Sequence, residues 1–362
     1  MNKKKSVLIV FPDEWLQYSP SLLNLYNCCK EEYYTKIIYI NHKKFDNTGL
    51  VDNYKSIRVR KFPAYVWRKT FGYKLYKVFK LFWCLFLVKL FDRRYDIVIA
   101  IDSSGYVPTK LFFPKTIFFS LELKKDNFYK ISRKLGIDRL IIQSKERKDF
   151  LVGENPDIEV FYIQNAPILK KQGITLKEKT DKRILFLGNI DFGYAIDQFI
   201  DCIKELDDSY TLTLKGIRNE NFFNLLNQKY ADLIHSGKLI FDFNYTEQSK
   251  IIEYVSQFYI GIVGYDLEVV KHDFNQFSAP SGKLFNYYAA GIPVMATDII
   301  GLRSVKDYNA GVLIDTFSAD KIKDAVNVIE KNYQQFSANC LVAAEAFDFK
   351  KAFDAFIKAV DK

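Results

Sequence analysis

The stretch Ser278-Ala-Pro-Ser-Gly-Lys-Leu-Phe-Asn-Tyr-Tyr-Ala-Ala-Gly-Ile-Pro-Val-Met-Ala-Thr-Asp298 decides how the chain is read. Pro280, Ser281 and Gly282 break the backbone, and Ser281 can cap a helix by accepting from a free first-turn N–H. The run from Lys283 to Ala290 is predicted as a short helix. Gly291 suits the residue just past its end, and Pro293 cannot continue it. Val294 to Thr297 then forms a short apolar strand ending at Asp298. Such a loop–helix–turn–strand unit brings a helix N-terminus, a lysine and free backbone N–H groups to one point, which suits an anion and in particular a diphosphate.

The rest of the chain repeats the same grammar. Short apolar runs alternate with helical segments: strands are predicted at Lys5–Phe11, Lys36–Ile40, Ile57–Phe62, Asp96–Ile101, Thr116–Phe119, Leu140–Gln143 and Val160–Ile163. After a polar stretch the pattern restarts at Arg183–Leu187, Tyr210–Leu214, Leu239–Phe243, Phe258–Val263 and Val312–Ile314. Continuous apolar strands separated by helices predict parallel sheets covered on both faces, so the fold class is α/β with two Rossmann-like doubly wound domains. The boundaries follow: residues 1–170 as the first domain, 171–182 as the linker, 183–342 as the second domain, and 343–362 as a C-terminal segment crossing back. Ligands in such sheets sit at the carboxyl ends of the strands. A cleft between the two domains is the expected place for a two-substrate transfer.

Composition narrows the function classes. The 362 residues carry a net charge of +10. The excess is uneven: residues 1–180 are strongly basic and residues 181–362 are acidic overall. A basic half has a reason of its own to meet anions such as lipid headgroups, nucleic acid or phosphorylated substrates. No nucleic-acid recognition motif accompanies the charge. The five cysteines show no paired or metal-ligand spacing, and three histidines leave little for a histidine metal site, so a reducing cytoplasm is expected. No Walker loop, GxSxG or Asp-x-Asp pair is present. The N-terminal apolar run is cut by Asp13 and Glu14, too soon for a secretory leader.

Ala64 to Arg94 stands apart. Lys69, Lys74, Lys77, Lys80 and Lys89 alternate there with Trp67, Phe71, Phe79, Phe82, Trp83 and Phe86. One reading is an amphipathic helix lying on an anionic membrane; the other is a core helix with a solvated basic face.

The 281–298 wording resembles the donor-nucleotide segment of retaining GT-B glycosyltransferases of the large family four. That family commonly reads Ser-x-Lys-Leu-Phe-Glu-Tyr-Met-Ala-Ala-Gly-x-Pro-Val-Ile-Ala-Thr-Asp here. Leu185-Phe186-Leu187-Gly188, Asp298-Ile299-Ile300-Gly301 and Ala310–Ile314 extend the resemblance over roughly residues 183–362. It implies a cytoplasmic or peripheral-membrane enzyme of class EC 2.4. Such an enzyme moves a sugar, without a metal or other cofactor, from a nucleoside-diphosphate sugar to a polysaccharide or lipid-linked acceptor. The expected donor-side residues are Gly188, Asn189, Gly264, Tyr265, Ser281, Gly282, Lys283, Leu284 and Asn286, with Lys283 on the diphosphate and Asn286 on the ribose; Lys215 and Arg218 join them only by their place at a strand end. Glu122 is the candidate acceptor-side base, and Glu122 and Lys283 are the candidate catalytic residues.

The sequence also departs from the family. Its usual Arg after the strand glycine is Asn189, its following Lys-Gly is Tyr194-Ala195, and its two motif glutamates are Ser278 and Asn286. These departures keep two alternatives in view: a non-catalytic nucleotide- or partner-binding subunit, and a nucleotide-sugar epimerase of the same fold.

Overall fold

The computed structural model describes residues 4–41, 50–58, 71–92, 94–169 and 181–361. The chain divides into two compact units, residues 1–164 with 349–362, and residues 165–348. Most of the expected linker (170–180), the end of the expected third strand (59–62) and the start of the basic aromatic segment (64–70) lie outside the described residues.

The first unit is built on seven parallel strands: β1 (Ser6–Phe11), β2 (Tyr34–Asn41), β3 (Tyr54–Arg58), β4 (Ile97–Ile101), β5 (Ile117–Phe119), β6 (Arg139–Ile142) and β7 (Glu159–Tyr162), ordered β3-β2-β1-β4-β5-β6-β7. β1 is buried along its whole length, as a central strand with helices on both faces must be. The register pairs Ser6 with Tyr34 and Val7 with Ile97. The connecting helices are α1 (Pro20–Glu32), α2 (Phe71–Phe91), α3 (Asp102–Phe112), α4 (Asn127–Lys134) and α5 (Lys145–Val152). Asp126 and Ser144 cap α4 and α5 by accepting from Tyr129 and Arg147 N–H groups.

Helix α3 begins where the sequence predicts only a strand-end loop. Gly105 and Pro108 disguise it. Gly105 is there because a Cβ would lie 3.1 Å from the Pro12 ring, so the helix packs closely on the end of β1. Thr109 donates its hydroxyl to the Gly105 carbonyl, and the helix runs through Pro108.

The second unit carries six parallel strands, ordered β10-β9-β8-β11-β12-β13. In chain order its elements are β8 (Lys182–Leu187), α6 (Ile196–Ile203), β9 (Tyr210–Lys215), α7 (Glu220–Lys229), α8 (Ala231–His235), β10 (Leu239–Asp242), α9 (Ile251–Val255), β11 (Ile260–Val263), α10 (Leu267–Val270), α11 (Phe274–Phe277), α12 (Gly282–Ala289), β12 (Val294–Thr297), α13 (Ser304–Asp307), β13 (Gly311–Ile314), α14 (Ala319–Lys331) and α15 (Tyr333–Ala346). The sequence predicts one helix from Asn221 to Ile234; the structure breaks it at Tyr230. That residue is buried and donates its phenol to the Asp197 carbonyl, turning the chain onto α6.

The last helix, α16 (Phe349–Val360), belongs to the first unit. Phe356 meets Phe161 edge to face at 5.0 Å, and Asp361 pairs with Lys5 at 2.8 Å. In both sheets the strand order reverses beside the first strand, between β1 and β4 and between β8 and β11. Those are the points at which doubly wound sheets open a crevice for a ligand. All five cysteines are buried free thiols. Among the described residues no helix is long and apolar enough to cross a membrane.

Candidate functional site

The stretch from Ser278 to Asp298 folds as α12 and β12 at the second unit's switch point. Tyr287 fixes the helix to the sheet. Its ring fills the space left by Gly261, where a Cβ would fall 2.5 Å from the ring. Its hydroxyl accepts from Leu187 N–H and lies within hydrogen-bonding distance of the Leu185 and Ile262 carbonyls. One helix turn earlier on the same face is Lys283.

The Lys283 ammonium is thereby aimed at the end of β8. It lies 4.3 Å from the Phe186 ring centroid, 4.8 Å from Tyr194 and 5.6 Å from Tyr265. The residue as a whole is half-buried, but Nζ has no accessible surface and no hydrogen-bond partner among the described residues. Burial pushes its pKa down to about 7. The aromatic faces attract a cation, but they offer no acceptor for its three N–H groups. Gly188 makes the approach possible: it adopts φ +132°, and a Cβ there would lie 3.3 Å from both Cε and Nζ of Lys283. Gly216 supports this turn from beneath, since a Cβ on it would collide with the Gly188 carbonyl at 1.8 Å.

Around this ammonium the backbone is open. The N–H groups of Gly282 and Lys283 in the first turn of α12 donate to nothing among the described residues, and the helix dipole adds positive potential there. Ser281 occupies the N-cap position without making the expected cap bond. Tyr265 is anchored through its backbone, whose N–H donates to the Thr297 hydroxyl. Gly264 is held against Tyr194, whose carbonyl would lie 3.0 Å from any added Cβ. Gly282 is pressed against Asn165, whose amide would lie 2.6 Å from one. Asn189 is exposed. Asn286 is half-buried, and its side chain makes no hydrogen bond among the described residues.

Three of the sequence-predicted donor residues have other partners. The Lys215 ammonium is buried and pairs with Asp242 at 2.9 Å and with the Asn244 carbonyl at 2.8 Å. Arg218 pairs with Glu220 and lies between the Phe223 and Phe243 rings, 4.5 Å from each. Leu284 is wholly buried in the apolar core. Phe186 reads in sequence only as a buried strand residue, and its place under Lys283 becomes visible once α12 is docked.

The first unit has its own strand-end cavity of about 140 Å³, lined among others by Asp13, Lys77, Asp102, Glu122 and Asp126. Asp102, the first residue after β4, has φ +51° and accepts the N–H groups of Leu121 and Glu122 on one oxygen, Oδ1. Burial raises its pKa to about 7 against the lowering effect of those N–H groups, with the Glu122 charge adding to the rise. Glu122 is thus set on the cavity wall by its own backbone bond. Lys77 is neutralised by Asp13 at 2.6 Å. Among the described residues no group of His, Cys, Asp and Glu is placed to hold a metal ion.

Neither a protein-family model nor a curated protein sequence matches the chain. Solved structures do. HepE of Anabaena in complex with UDP-glucose superposes with a TM-score of 0.68 at 11% identity, over 98% of this chain and 99% of that one. WaaG, a glycosyltransferase involved in lipopolysaccharide biosynthesis, gives 0.64 at 13% identity over 98% of each chain. The lipopolysaccharide outer core galactosyltransferase WaaB, in its apo form, gives 0.65 at 14% over 98% and 99%. This chain has the GT-B fold. Its two parallel sheets with alternating helices are the two Rossmann-like domains of those glycosyltransferases, and the likeness extends over nearly the whole of each chain.

Proposed function

We propose that the protein is a cytoplasmic glycosyltransferase that binds a nucleoside-diphosphate sugar and transfers its sugar to a glycan or lipid-linked glycan acceptor. The observation that carries this reading is the Lys283 ammonium. A buried ammonium without an acceptor is unfavourable by several kcal/mol unless something anionic completes it. A diphosphate supplies that charge and those acceptors, and the two open N–H groups of α12 supply a second set of donors. Lys283 also enters the space beside Gly188 and Tyr194, close to where the resembled family carries its Arg and Lys. This chain lacks those two loop cations and keeps the helix lysine of the motif.

In this reading the leaving diphosphate is stabilised by Lys283 and the α12 N-terminus, positive groups fixed before the charge develops. Asn286 is within the next turn of the helix and offers an amide to the ribose. Glu122, on the first unit's cavity, takes the acceptor hydroxyl. The wording from Ser281 to Asp298 supports retention at the anomeric carbon and work without a metal cofactor.

Calorimetric titration with UDP, GDP, ADP and CDP tests the donor site. At least one is expected to bind, and Lys283→Met is expected to weaken it about 100-fold, the worth of a charge-assisted contact set. Absence of binding by all four at millimolar concentration overturns the reading. Turnover of the matching nucleotide-sugar is expected to fall in Glu122→Gln while nucleotide affinity holds.

A further inference from the structure

Helix α2 has two apolar faces where a core helix needs one. Leu81, Leu85 and Val88 point inward and are buried. Phe82 and Phe86 pack on Phe112 of α3. Yet Leu75, Phe79, Trp83 and Leu90 are between 44% and 65% exposed, and Phe91 at the end is 82% exposed. At about 100° per residue, Leu75, Phe79, Trp83 and Leu90 fall within roughly 80° of one another. They form one stripe along the helix, more or less opposite the buried face. A soluble surface carries single exposed apolar residues without consequence, but a contiguous aromatic and leucine stripe marks a surface that meets something.

The charges say what. Lys80 lies beyond one edge of the stripe and Lys89 beyond the other. No Asp or Glu occurs anywhere in α2. Lys89 is exposed, and the Lys80 ammonium lies 5.7 Å over the Tyr76 ring at the stripe's border. Lys77, by contrast, turns inward to Asp13 and takes no part. A second copy of this face would set lysines against lysines, whereas an anionic bilayer accepts the apolar stripe below its headgroups and the lysine rims at them. The helix is not long and apolar enough to cross the bilayer.

We infer that α2 lies in the plane of an anionic membrane, with Leu75, Phe79, Trp83, Leu90 and Phe91 as its apolar anchors and Lys80 and Lys89 as its headgroup contacts. The inference stands on the first unit alone and does not need the glycosyltransferase reading. It places the protein at a surface where a lipid-linked acceptor would be presented.

Flotation of the full-length protein tests it, using phosphatidylcholine vesicles with and without about one-third phosphatidylglycerol, a charge density that attracts lysine rims strongly. The protein is expected to float with the anionic vesicles at low salt, to float little with the neutral ones, and to be released as salt screens the rims. Phe79→Ser/Trp83→Ser is expected to lower the partition coefficient by roughly tenfold or more. Both side chains are exposed, so the melting temperature and nucleotide affinity are expected to hold. Lys80→Glu/Lys89→Glu is expected to lower partitioning by about tenfold and to flatten its salt dependence. The inference is overturned by any of four results. These are no flotation at low salt, equal flotation with neutral vesicles, partitioning unchanged in Phe79→Ser/Trp83→Ser, or conversion by that variant of a solution dimer to a monomer. Because no nucleotide is present, failure here is distinct from failure of the donor site.

Discussion

The carboxyl ends of the two sheets answer one architecture with opposite chemistry. Each sheet reverses its strand order beside its first strand, and each places one buried ionisable group at that point. In the first unit it is Asp102, in the second Lys283. Burial moves both, in opposite directions, to about the same value: Asp102 up to about 7 and Lys283 down to about 7. Asp102 keeps partners, since it accepts two N–H groups and ties the end of β4 to the residues after β5. Lys283 keeps none among the described residues. The same displaced pKa therefore has two meanings. At Asp102 it fixes a loop and sets Glu122 on a cavity. At Lys283 it leaves a charge site that only a ligand completes.

The largest effect is expected at Lys283. Its folded-state pKa lies below the ordinary lysine value, so the folded protein holds fewer protons than the unfolded chain between about pH 7 and 10.5. Stability without nucleotide is expected to rise across that window, with the full penalty present below pH 7. Lys283→Met is expected to remove the slope. It should stabilise the ligand-free protein by up to about 4 kcal/mol at pH 6 and by little near pH 10.5, read by urea unfolding at each pH. Nucleoside diphosphate binding is expected to weaken as pH rises above 7, because the lysine must take up a proton to meet the phosphate. A ligand-free variant with the wild-type pH slope removes the buried charge from the account.

Asp102 gives the mirror image. Its folded-state pKa is raised, so its share of stability is present below about pH 4 and lost as pH rises through 7. Asp102→Asn keeps an oxygen for the Leu121 and Glu122 N–H groups and is expected to flatten that fall, a difference of about 3 kcal/mol between pH 4 and pH 8. Taken together, the two groups cost most near pH 7, where one has begun to ionise and the other is still charged. An unaltered pH profile in Asp102→Asn would leave the first unit's carboxylate without the role described.

The smallest effect is expected at the loop beside Lys283. The resembled family carries Lys-Gly where this chain has Tyr194-Ala195, and Ala195 retains a positive φ of +51°. A left-handed conformation is unfavourable for alanine by about 1 kcal/mol or more. Ala195→Gly is expected to raise stability by about 0.5–1 kcal/mol in thermal or urea unfolding, leaving Tyr194 over the Lys283 ammonium. A destabilised Ala195→Gly would mean that packing of the methyl group outweighs the strain.

Much of this was legible without a structure. The punctuation from Pro280 to Pro293 marks α12 and β12 to within a residue, because caps, glycine and proline act locally. The apolar strand runs are legible for a similar reason: a strand covered on both faces has to be apolar throughout. Helix α3 was not legible, since Gly105 and Pro108 read as breakers until the close approach to Pro12 and Val10 explains the glycine. Nor were the fates of the strand-end cations. Lys215 and Lys283 are both lysines near strand ends, and nothing local says that Asp242, from the neighbouring strand, neutralises the first.

Sequence by itself determined the alternation of strands and helices, the helix that carries Lys283, and the basic character of α2, because each depends on residues within a few positions of one another. Tertiary structure decided which lysine is left without an acceptor and which face of α2 remains outside. Both depend on what residues distant in sequence bring to the same point. Gly188, Phe186, Tyr194 and Tyr265 enclose the Lys283 ammonium without accepting from it, and the packing of Leu81, Leu85 and Val88 leaves Phe79 and Trp83 in water.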